Sequence, residues 1–458
     1  MPFIATTDEE RAEMLAEIGV ERIEDLFLDV PELFRYPPMN LPEPLSELEA
    51  IRDLGSLAGA NESGEDLSSF IGAGAYHHFS PSVVNFLAGR SEFYSAYTPY
   101  QAEVSQGTLQ AIFEYQTMIA ALTGMDVANA SHYDGATATA EAVIMALNMA
   151  RGRRKRIVLS PTVNAQYREV VRTYTQGMDL DIVGDGDLDN DFHALIDLCN
   201  DDTAIVVVQN PDFLGQLHSP AEMQDLANAV HAAGAVLAVA VDLISLGLFT
   251  PPGDYGADIV MGEGQSLGNA ISFGGPYLGF FAMRQKDVRR SAGRIAGETV
   301  DADDNTGYVL TLNTREQHIR RGRATSNICT NQAWNALMAS IYLAVMGKHG
   351  LRSVAEQCYH KAHYAAARIN ELDGFEVLGS RPFFKEFVIR CPVDVSDLKD
   401  YLLTEWGVLP GYDLTGDYPD LGQCLLVCVT EMNSRQEIDD LVEALTQAAS
   451  VLTVEVVV

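Results

Sequence analysis

The sequence is poor in positive charge. Its 458 residues include 30 lysines and arginines against 64 aspartates and glutamates, which gives a formal net charge of −34. Such a surface repels the phosphate backbone of nucleic acids, so we expect no nucleic-acid partner. The basic stretch RGRRKR at 151–156 does not alter this expectation, because it ends a predicted helix, where the helix dipole favours positive charge.

Long apolar runs and closely paired cysteines are also lacking. No run of 18 or more apolar residues occurs, so we expect no membrane span. The first residues, MPFIATTDEERAEM, are acidic within ten positions and contain no apolar core, unlike a secretory signal. The six cysteines form no C-x-x-C pair, which predicts free thiols in a reducing cytoplasm. The histidines at 77–78 and at 360 and 363 lack partners at metal-ligand spacing, so no metal site is expected.

Changes of pattern along the chain indicate three segments. Residues 1–64 are predicted to form a helical N-terminal arm, with Thr7 and Glu10 at capping-box spacing. Residues 65–330 alternate short apolar runs with helical stretches, which is typical of a large α/β domain with a mostly parallel sheet. Residues 331–458 predict a smaller α+β domain. Ligands of such sheets bind at the carboxyl ends of the strands.

Two short motifs are typical of cofactor anchors. Gly135 and Thr137 follow Asp134 at the start of a long predicted helix, where exposed N–H groups and the helix dipole form an anion site. Asp242 ends the apolar run AVLAVAVD, and a carboxylate there can keep a pyridinium nitrogen protonated. Each motif alone is equally consistent with an ordinary helix cap or with the polar end of a buried strand.

Two further segments carry polar groups suited to binding. The stretch AYTPYQ places Tyr97, Tyr100 and Gln101 in a loop, because Pro99 excludes a helix interior. The stretch HIRRGRATSN holds a cluster of cationic and small polar side chains: Arg320, Arg321, Arg323, Thr325, Ser326 and Asn327. Clustered arginines favour an anionic ligand. The alternatives are an aromatic plug between domains for the first segment and pairing with surface carboxylates for the second.

Four blocks of the sequence carry a family resemblance. They are GAGAYHHFSP, the run from EFYSAYTPYQ to DGATATAEA, GADIVMGEGQSLG and RRGRATSNICTNQ. With these blocks the chain resembles the α subunits (subunit 1) of two-subunit glycine decarboxylases, the P-proteins of the glycine cleavage system. The resemblance covers nearly the whole chain and implies fold type I of the pyridoxal-phosphate (PLP) enzymes.

The resemblance implies a role in glycine breakdown. In that family glycine condenses with PLP, carbon dioxide is lost, and the aminomethyl group passes to the lipoyl arm of the H-protein. The β subunit holds PLP on its lysine, and the α subunit pairs with it in an α2β2 assembly. The resemblance therefore implies a cytoplasmic enzyme subunit that is inactive alone.

The lysine that would hold PLP is missing from this chain. In PLP-binding relatives a strand ending near Asp258–Val260 leads into a His-Lys pair, whose positions fall here on Gln265 and Ser266. Serine cannot form an imine with an aldehyde. None of the six lysines lies between Asp242 and Gly275. We therefore expect Gly135, Thr137 and Asp242 to line a vestigial pocket without covalent PLP.

The resemblance also implies where the chain contributes to catalysis. Sites of fold type I lie at a subunit interface, so Thr325, with Ser326 and Asn327 close by, is predicted to touch the phosphate of the partner's cofactor. Residues Tyr97, Tyr100 and Gln101 are predicted to face glycine or the lipoyl arm. Two alternatives remain: a scaffold that only stabilises the β subunit, and an independent decarboxylase that uses a lysine from elsewhere.

Overall fold

The computed structural model describes residues 5–64, 66–94, 97–189 and 191–455. The chain divides into two compact units, Met1–Glu62 and Ser63–Val458. The first contains the helices α1 (Asp8–Ile18) and α2 (Glu47–Ala58). The predicted capping box is present, since the Thr7 hydroxyl accepts from the Glu10 N–H and the Glu10 carboxylate accepts from the Thr7 N–H. None of residues 5–62 is buried.

The second unit carries the remaining α-helices and all the strands of the described residues. Its helices are α3 (Ser82–Ala88), α4 (Ser91–Tyr94), α5 (Gln106–Thr123), α6 (Gly135–Met149), α7 (Ala165–Thr175), α8 (Phe192–Asp197), α9 (Pro220–Ala232), α10 (Gln317–Arg320), α11 (Ala333–Ile369), α12 (Val395–Trp406) and α13 (Arg435–Glu455). Its strands are β1 (Ser68–Ser69), β2 (Val127–Ala128), β3 (Arg156–Leu159), β4 (Asp181–Val183), β5 (Thr203–Gln209), β6 (Val236–Ala240), β7 (Ile259–Glu263), β8 (Gly279–Met283), β9 (Ile295–Val300), β10 (Thr306–Thr311), β11 (Glu376–Leu378), β12 (Glu386–Arg390), β13 (Val408–Leu409), β14 (Tyr412–Asp413) and β15 (Cys424–Cys428).

The large sheet is mixed and mostly parallel. Within the described residues it has seven strands in the order β2-β8-β7-β6-β5-β3-β4. Strands β7, β6, β5, β3 and β4 pair in parallel, whereas β8 is antiparallel to both β7 and β2. The sheet is buried on both faces: Val206 and Val208 of β5 point into one core, and Ile205 and Val207 point into the other. This burial explains the continuous apolar runs of the sequence.

The C-terminal part of the second unit has its own sheet and core. Strands β11, β12, β15 and β14 form an antiparallel sheet in that order, and α12, α13 and the second half of α11 contribute to its core. The range of α11 consists of two helical stretches that meet at a kink at Gly347, whose φ of 57° and ψ of −176° are not helical. Only glycine adopts such a backbone conformation readily.

Strand β7 begins at Ile259 and continues to Glu263, past the Asp258–Val260 position at which the resemblance ends the corresponding strand of PLP-binding relatives. The carboxyl end of β7 therefore lies directly before Gln265 and Ser266. Because β6 and β7 are parallel neighbours, their carboxyl ends open at the same edge of the sheet, which is where α6 begins.

Candidate functional site

The start of α6 is built around an aspartate cap. The Asp134 carboxylate accepts the Thr137 N–H at 2.7 Å, and the Thr137 hydroxyl accepts the Asp134 N–H at 3.1 Å. The Thr137 hydroxyl, predicted to line the vestigial pocket, is thus used in the cap itself. Such reciprocal bonds satisfy two of the free N–H groups at a helix start.

A carboxylate from the chain itself occupies the anion position at this helix start. Glu263, the last residue of β7, accepts the Gly135 N–H through Oε2 at 3.0 Å. Its Oε1 accepts the N–H groups of Gln265 at 2.9 Å and Leu278 at 2.8 Å. Burial raises the pKa of Glu263 to about 7, and these backbone bonds act in the opposite direction by stabilising the charged form. The site predicted for an external anion is therefore filled internally.

Gly135 is confined by a tyrosine of α7. A Cβ atom at Gly135 would lie 2.1 Å from the Tyr167 hydroxyl oxygen and 2.8 Å from the backbone nitrogen of Glu263. A side chain at this position would force Tyr167 or the neighbouring backbone to shift, so the packing favours glycine. The tyrosine ring takes up space that a ligand at the helix start would need.

Asp242 forms a buried ion pair that the sequence did not reveal. Its Oδ2 lies 2.6 Å from Nζ of Lys385, which precedes β12 and has only 1% of its side chain exposed. The ammonium group also lies 3.0 Å from Nε2 of His78 and 3.4 Å from the ring centroid of Tyr76. Burial opposes the charge of Lys385, but the Asp242 carboxylate holds the pKa of this lysine above its usual value.

Lys385 and Glu263 were both missed by sequence reasoning. Lys385 stands in the apolar stretch FFKEF directly before a buried strand, and a lysine in such a run is a signal for a buried charge. Glu263 ends an apolar strand run, as Asp242 does. The reasoning that made Asp242 a candidate, a carboxylate at the carboxyl end of a buried strand, therefore also applied to Glu263.

The residues of this chain do not fit PLP. Between Asp242 and Glu263 lies a cavity of about 30 Å³, lined also by Tyr76, Tyr167 and Gly262. That volume has room for one or two water molecules, not for a pyridine ring with its phosphate. Ser266, which is predicted to stand at the lysine position, is buried, and the Glu263 carboxylate lies at the helix start where a phosphate was expected.

A group of possible metal ligands adjoins the same network. His78, Cys358 and Glu431 place one donor atom each within 4.8 Å of one another. However, Nδ1 of His78 already bonds Glu431 at 2.7 Å, and Nε2 of His78 faces the Lys385 ammonium. A cation there would meet the positive charge of Lys385, so the group is explained by its hydrogen bonds.

The predicted tyrosine loop lies at the surface around a buried arginine. Tyr97 is 82% exposed and Tyr100 is 46% exposed. The Tyr100 hydroxyl donates to Oε2 of Glu316 at 3.0 Å and accepts from Nη2 of Arg294 at 3.2 Å. Arg294 is only 5% exposed, and its Nε lies 3.6 Å from Oε2 of Glu316. The pair Arg294–Glu316 was not predicted, because neither residue belongs to a motif of the sequence.

The structure brings the predicted turn to the other side of Arg294. This arginine lines two small cavities, one with Tyr97 and the other with Glu316 and Thr325. The Thr325 side chain is exposed, as are those of Asn327 and Gln101. The predicted loop and the predicted turn therefore both adjoin Arg294, with Tyr97 at one cavity and Thr325 at the other.

The Ser326 side chain points into the protein and bonds α6. Its hydroxyl donates to Oε1 of Glu141 in α6 at 2.5 Å and accepts the Ile328 N–H at 3.0 Å. Burial raises the pKa of Glu141 to about 7, against the effect of the Ser326 bond. Ser326 thus fastens the turn to α6 and leaves Thr325 and Asn327 outward.

The arginines before the turn remain open to solvent. Arg320, Arg321 and Arg323 are exposed, and none of them is ion-paired with a carboxylate within the part of the chain that the structure describes. The alternative that they pair with carboxylates of the same chain is not what the structure shows.

No helix among the described residues is long and apolar enough to cross a bilayer.

The large mixed sheet with its covering helices is the architecture of PLP fold type I. Two solved structures resemble the chain at the level of fold. The sphingosine-1-phosphate lyase of Burkholderia pseudomallei has a TM-score of 0.65 and 13% identity, over 92% of this chain and 94% of that one. The cysteine desulfurase of Thermococcus onnurineus has a TM-score of 0.61 and 15% identity, over 85% of this chain and 96% of that one.

The comparisons at higher identity give the family. The sequence model of the family described as "Glycine cleavage system P-protein" matches residues 1–445, and the chain belongs to this family. Relatives named probable glycine dehydrogenase (decarboxylating) subunit 1 are 52% identical in Moorella thermoacetica, over 97% of this chain and 99% of the relative, and 49% identical in Thermomicrobium roseum, over 98% and 100%. A solved inhibitor-bound glycine decarboxylase (P-protein) has a TM-score of 0.88 and 41% identity, over 98% of this chain and 100% of that one.

Proposed function

We propose that the chain is the subunit of a glycine decarboxylase that holds no cofactor of its own and completes the active site of a PLP-bearing partner. The single observation that carries the proposal is the contrast between two regions. At the cofactor cavity Tyr167 and Glu263 lie at the start of α6 and Lys385 pairs with Asp242, whereas beside Arg294 the side chains of Tyr97 and Thr325 are exposed. The relatives named subunit 1 support a second, complementary subunit.

In this proposal the partner is the β subunit of an α2β2 assembly, with PLP on its lysine. The cofactor supplies the electron sink for loss of carbon dioxide from glycine. The lipoyl arm of an H-protein accepts the remaining aminomethyl group, and the assembly works in the cytoplasm.

The residues of this chain would bind and orient rather than react. The Thr325 hydroxyl donates a hydrogen bond to the phosphate of the partner's cofactor, and Asn327 lies beside it. Tyr97, with Gln101, forms the wall that keeps water from glycine and guides the lipoyl arm. Arg294 and Glu316 hold the Tyr100 phenol in a fixed orientation through the two hydrogen bonds at 3.2 and 3.0 Å.

The test uses the assembled complex and the variant Thr325→Ala. A hydrogen bond to a charged group contributes about 1.5–3 kcal/mol, so we expect PLP to bind the complex about tenfold or more weakly, measured by absorbance titration. Glycine decarboxylation should fall in parallel at limiting PLP. Thr404→Ala, an exposed threonine of α12, is the matched control and should leave both quantities unchanged.

A pure scaffold would behave differently. If Thr325→Ala and Tyr97→Ala both assemble normally with the partner and retain full PLP affinity and turnover, the chain only stabilises its partner. That outcome would replace the proposal with the scaffold alternative.

A further inference from the structure

The filled cavity repeats the charge pattern of a bound cofactor. A PLP molecule carries positive charge on its pyridinium nitrogen, held by an acidic residue, and negative charge on its phosphate, held by a helix start. In this chain the acidic residue is Asp242, and its partner is the Lys385 ammonium at 2.6 Å. The helix start is that of α6, and its partner is the Glu263 carboxylate, at 3.0 Å from the Gly135 nitrogen.

Both substitutes are integrated into the surrounding structure. The Lys385 ammonium lies over the Tyr76 ring and against His78, and the adjacent Glu386 accepts the Tyr76 hydroxyl at 2.9 Å. Glu263 accepts three backbone N–H groups, from the helix start, from its own turn and from the segment before β8. These contacts leave the two anchoring groups, Asp242 and the start of α6, with partners of the correct charge.

We propose that Lys385 and Glu263 are a permanent replacement for PLP within this chain. The ammonium of Lys385 takes the place of the pyridinium at Asp242, and the carboxylate of Glu263 takes the place of the phosphate at α6. The replacement keeps the chain in the cofactor-bound arrangement of its fold without a ligand, and it closes the cavity to free PLP. Because Lys385 leads into β12, the same ion pair joins the C-terminal sheet to the large sheet.

The inference rests on the part of the proposed function by which this chain holds no cofactor, but its tests use this chain alone and are separate from the tests of Thr325 and Tyr97 in the complex. An ordinary buried ion pair would also be sensitive to mutation, and stability alone does not distinguish the two cases. The discriminating property is ligand binding: removal of a replacement group should restore affinity for the group that it replaces.

The first experiment removes the phosphate substitute from the full-length chain. In Glu263→Ala the start of α6 loses its carboxylate, and we expect inorganic phosphate to bind at least tenfold more tightly than to the unmodified chain, measured by isothermal titration and by a phosphate-dependent rise in melting temperature. Glu263→Gln keeps the volume and an acceptor oxygen and should show no such gain. Glu405→Ala removes an exposed carboxylate of α12 and controls for the change in net charge.

A second variant tests whether the Tyr167 side chain of α7 prevents phosphate from reaching the start of α6. Glu263→Ala/Tyr167→Phe removes the hydroxyl that lies against Gly135 and should bind phosphate at least as tightly as Glu263→Ala. If neither variant binds phosphate more tightly than Glu405→Ala, Glu263 does not replace a phosphate, and the inference fails.

The second experiment examines the other end of the cavity. Lys385→Met leaves Asp242 buried and unpaired and should lower the melting temperature by about 5 °C or more, whereas Lys348→Met, at an exposed lysine, should not. Pyridoxine, which has the ring but no phosphate, should raise the melting temperature of Lys385→Met and not that of the unmodified chain. Pyridoxine or PLP that stabilises the unmodified chain as much as Lys385→Met would overturn the inference.

Discussion

Single side chains decide how this molecule differs from an enzyme that carries its own cofactor. Ser266 is predicted to stand at the position of the lysine that forms the imine, and Lys385, far away in the sequence, pairs with Asp242. The prediction for Ser266 comes from a short motif, because a motif fixes a position by counting. Lys385 was not, because a contact between residues so distant along the chain depends on how the two sheets pack.

The burial of Glu141 makes the stability of the folded chain depend on pH. Burial raises the pKa of Glu141 from 4.5 to about 7 in the folded chain. The folded state therefore binds more protons than the unfolded state between these two pH values, and stability falls as pH rises through that window. Above pH 7 the buried charged carboxylate lowers the free energy of unfolding by on the order of 3 kcal/mol.

We expect Glu141→Gln to remove this share of the pH dependence. The variant keeps an acceptor for Ser326 and should match the unmodified chain near pH 4.5, then exceed it in stability at pH 7 and above by up to on the order of 3 kcal/mol. Urea unfolding at several pH values measures the difference. The control Glu405→Gln should show the same free energy of unfolding as the unmodified chain at every pH. If the difference between Glu141→Gln and the unmodified chain does not change with pH, Glu141 titrates normally and the prediction is wrong.

At the scale of secondary structure, the elements with strong local signals were predicted and the others were not. The apolar runs predicted β3 to β8, most of which are buried on both faces, whereas β4 is only partly buried, and the Asp134 cap predicted the start of α6. The antiparallel direction of β8 was not predicted, because an apolar run does not encode the direction of a strand. The Tyr97 loop and the Thr325 turn were recognised, but Arg294 between them has no local signature.

The start of α6 gives a prediction at this scale. Gly135→Ala places a Cβ atom 2.1 Å from the Tyr167 hydroxyl, so α6 or α7 must shift and the bond from the Gly135 N–H to Glu263 weakens. We expect a loss of about 1–3 kcal/mol in the free energy of unfolding, measured by urea titration. Tyr167→Phe should recover part of the loss in the double variant. Gly64→Ala, where no atom lies within 4 Å of the added Cβ, is the control.

At the scale of the whole molecule, the charge of −34 dominates the behaviour of the surface. Like charges repel in the compact state, and added salt screens this repulsion by shortening the Debye length from about 30 Å at 0.01 M to about 8 Å at physiological ionic strength. We therefore expect the melting temperature to rise with sodium chloride over this range. A melting temperature that falls with salt would mean that ion pairs outweigh the repulsion.

The central claim is that this chain carries no PLP and that its partner does. The most direct measurement is borohydride reduction of the assembled complex with PLP, followed by mass spectrometry of peptides from both subunits, because reduction fixes any imine to its lysine. The account predicts a phosphopyridoxyl lysine in the partner subunit and none at the six lysines of this chain: Lys155, Lys286, Lys348, Lys361, Lys385 and Lys399. A stoichiometric adduct on any of these six, above all on Lys385, would contradict it.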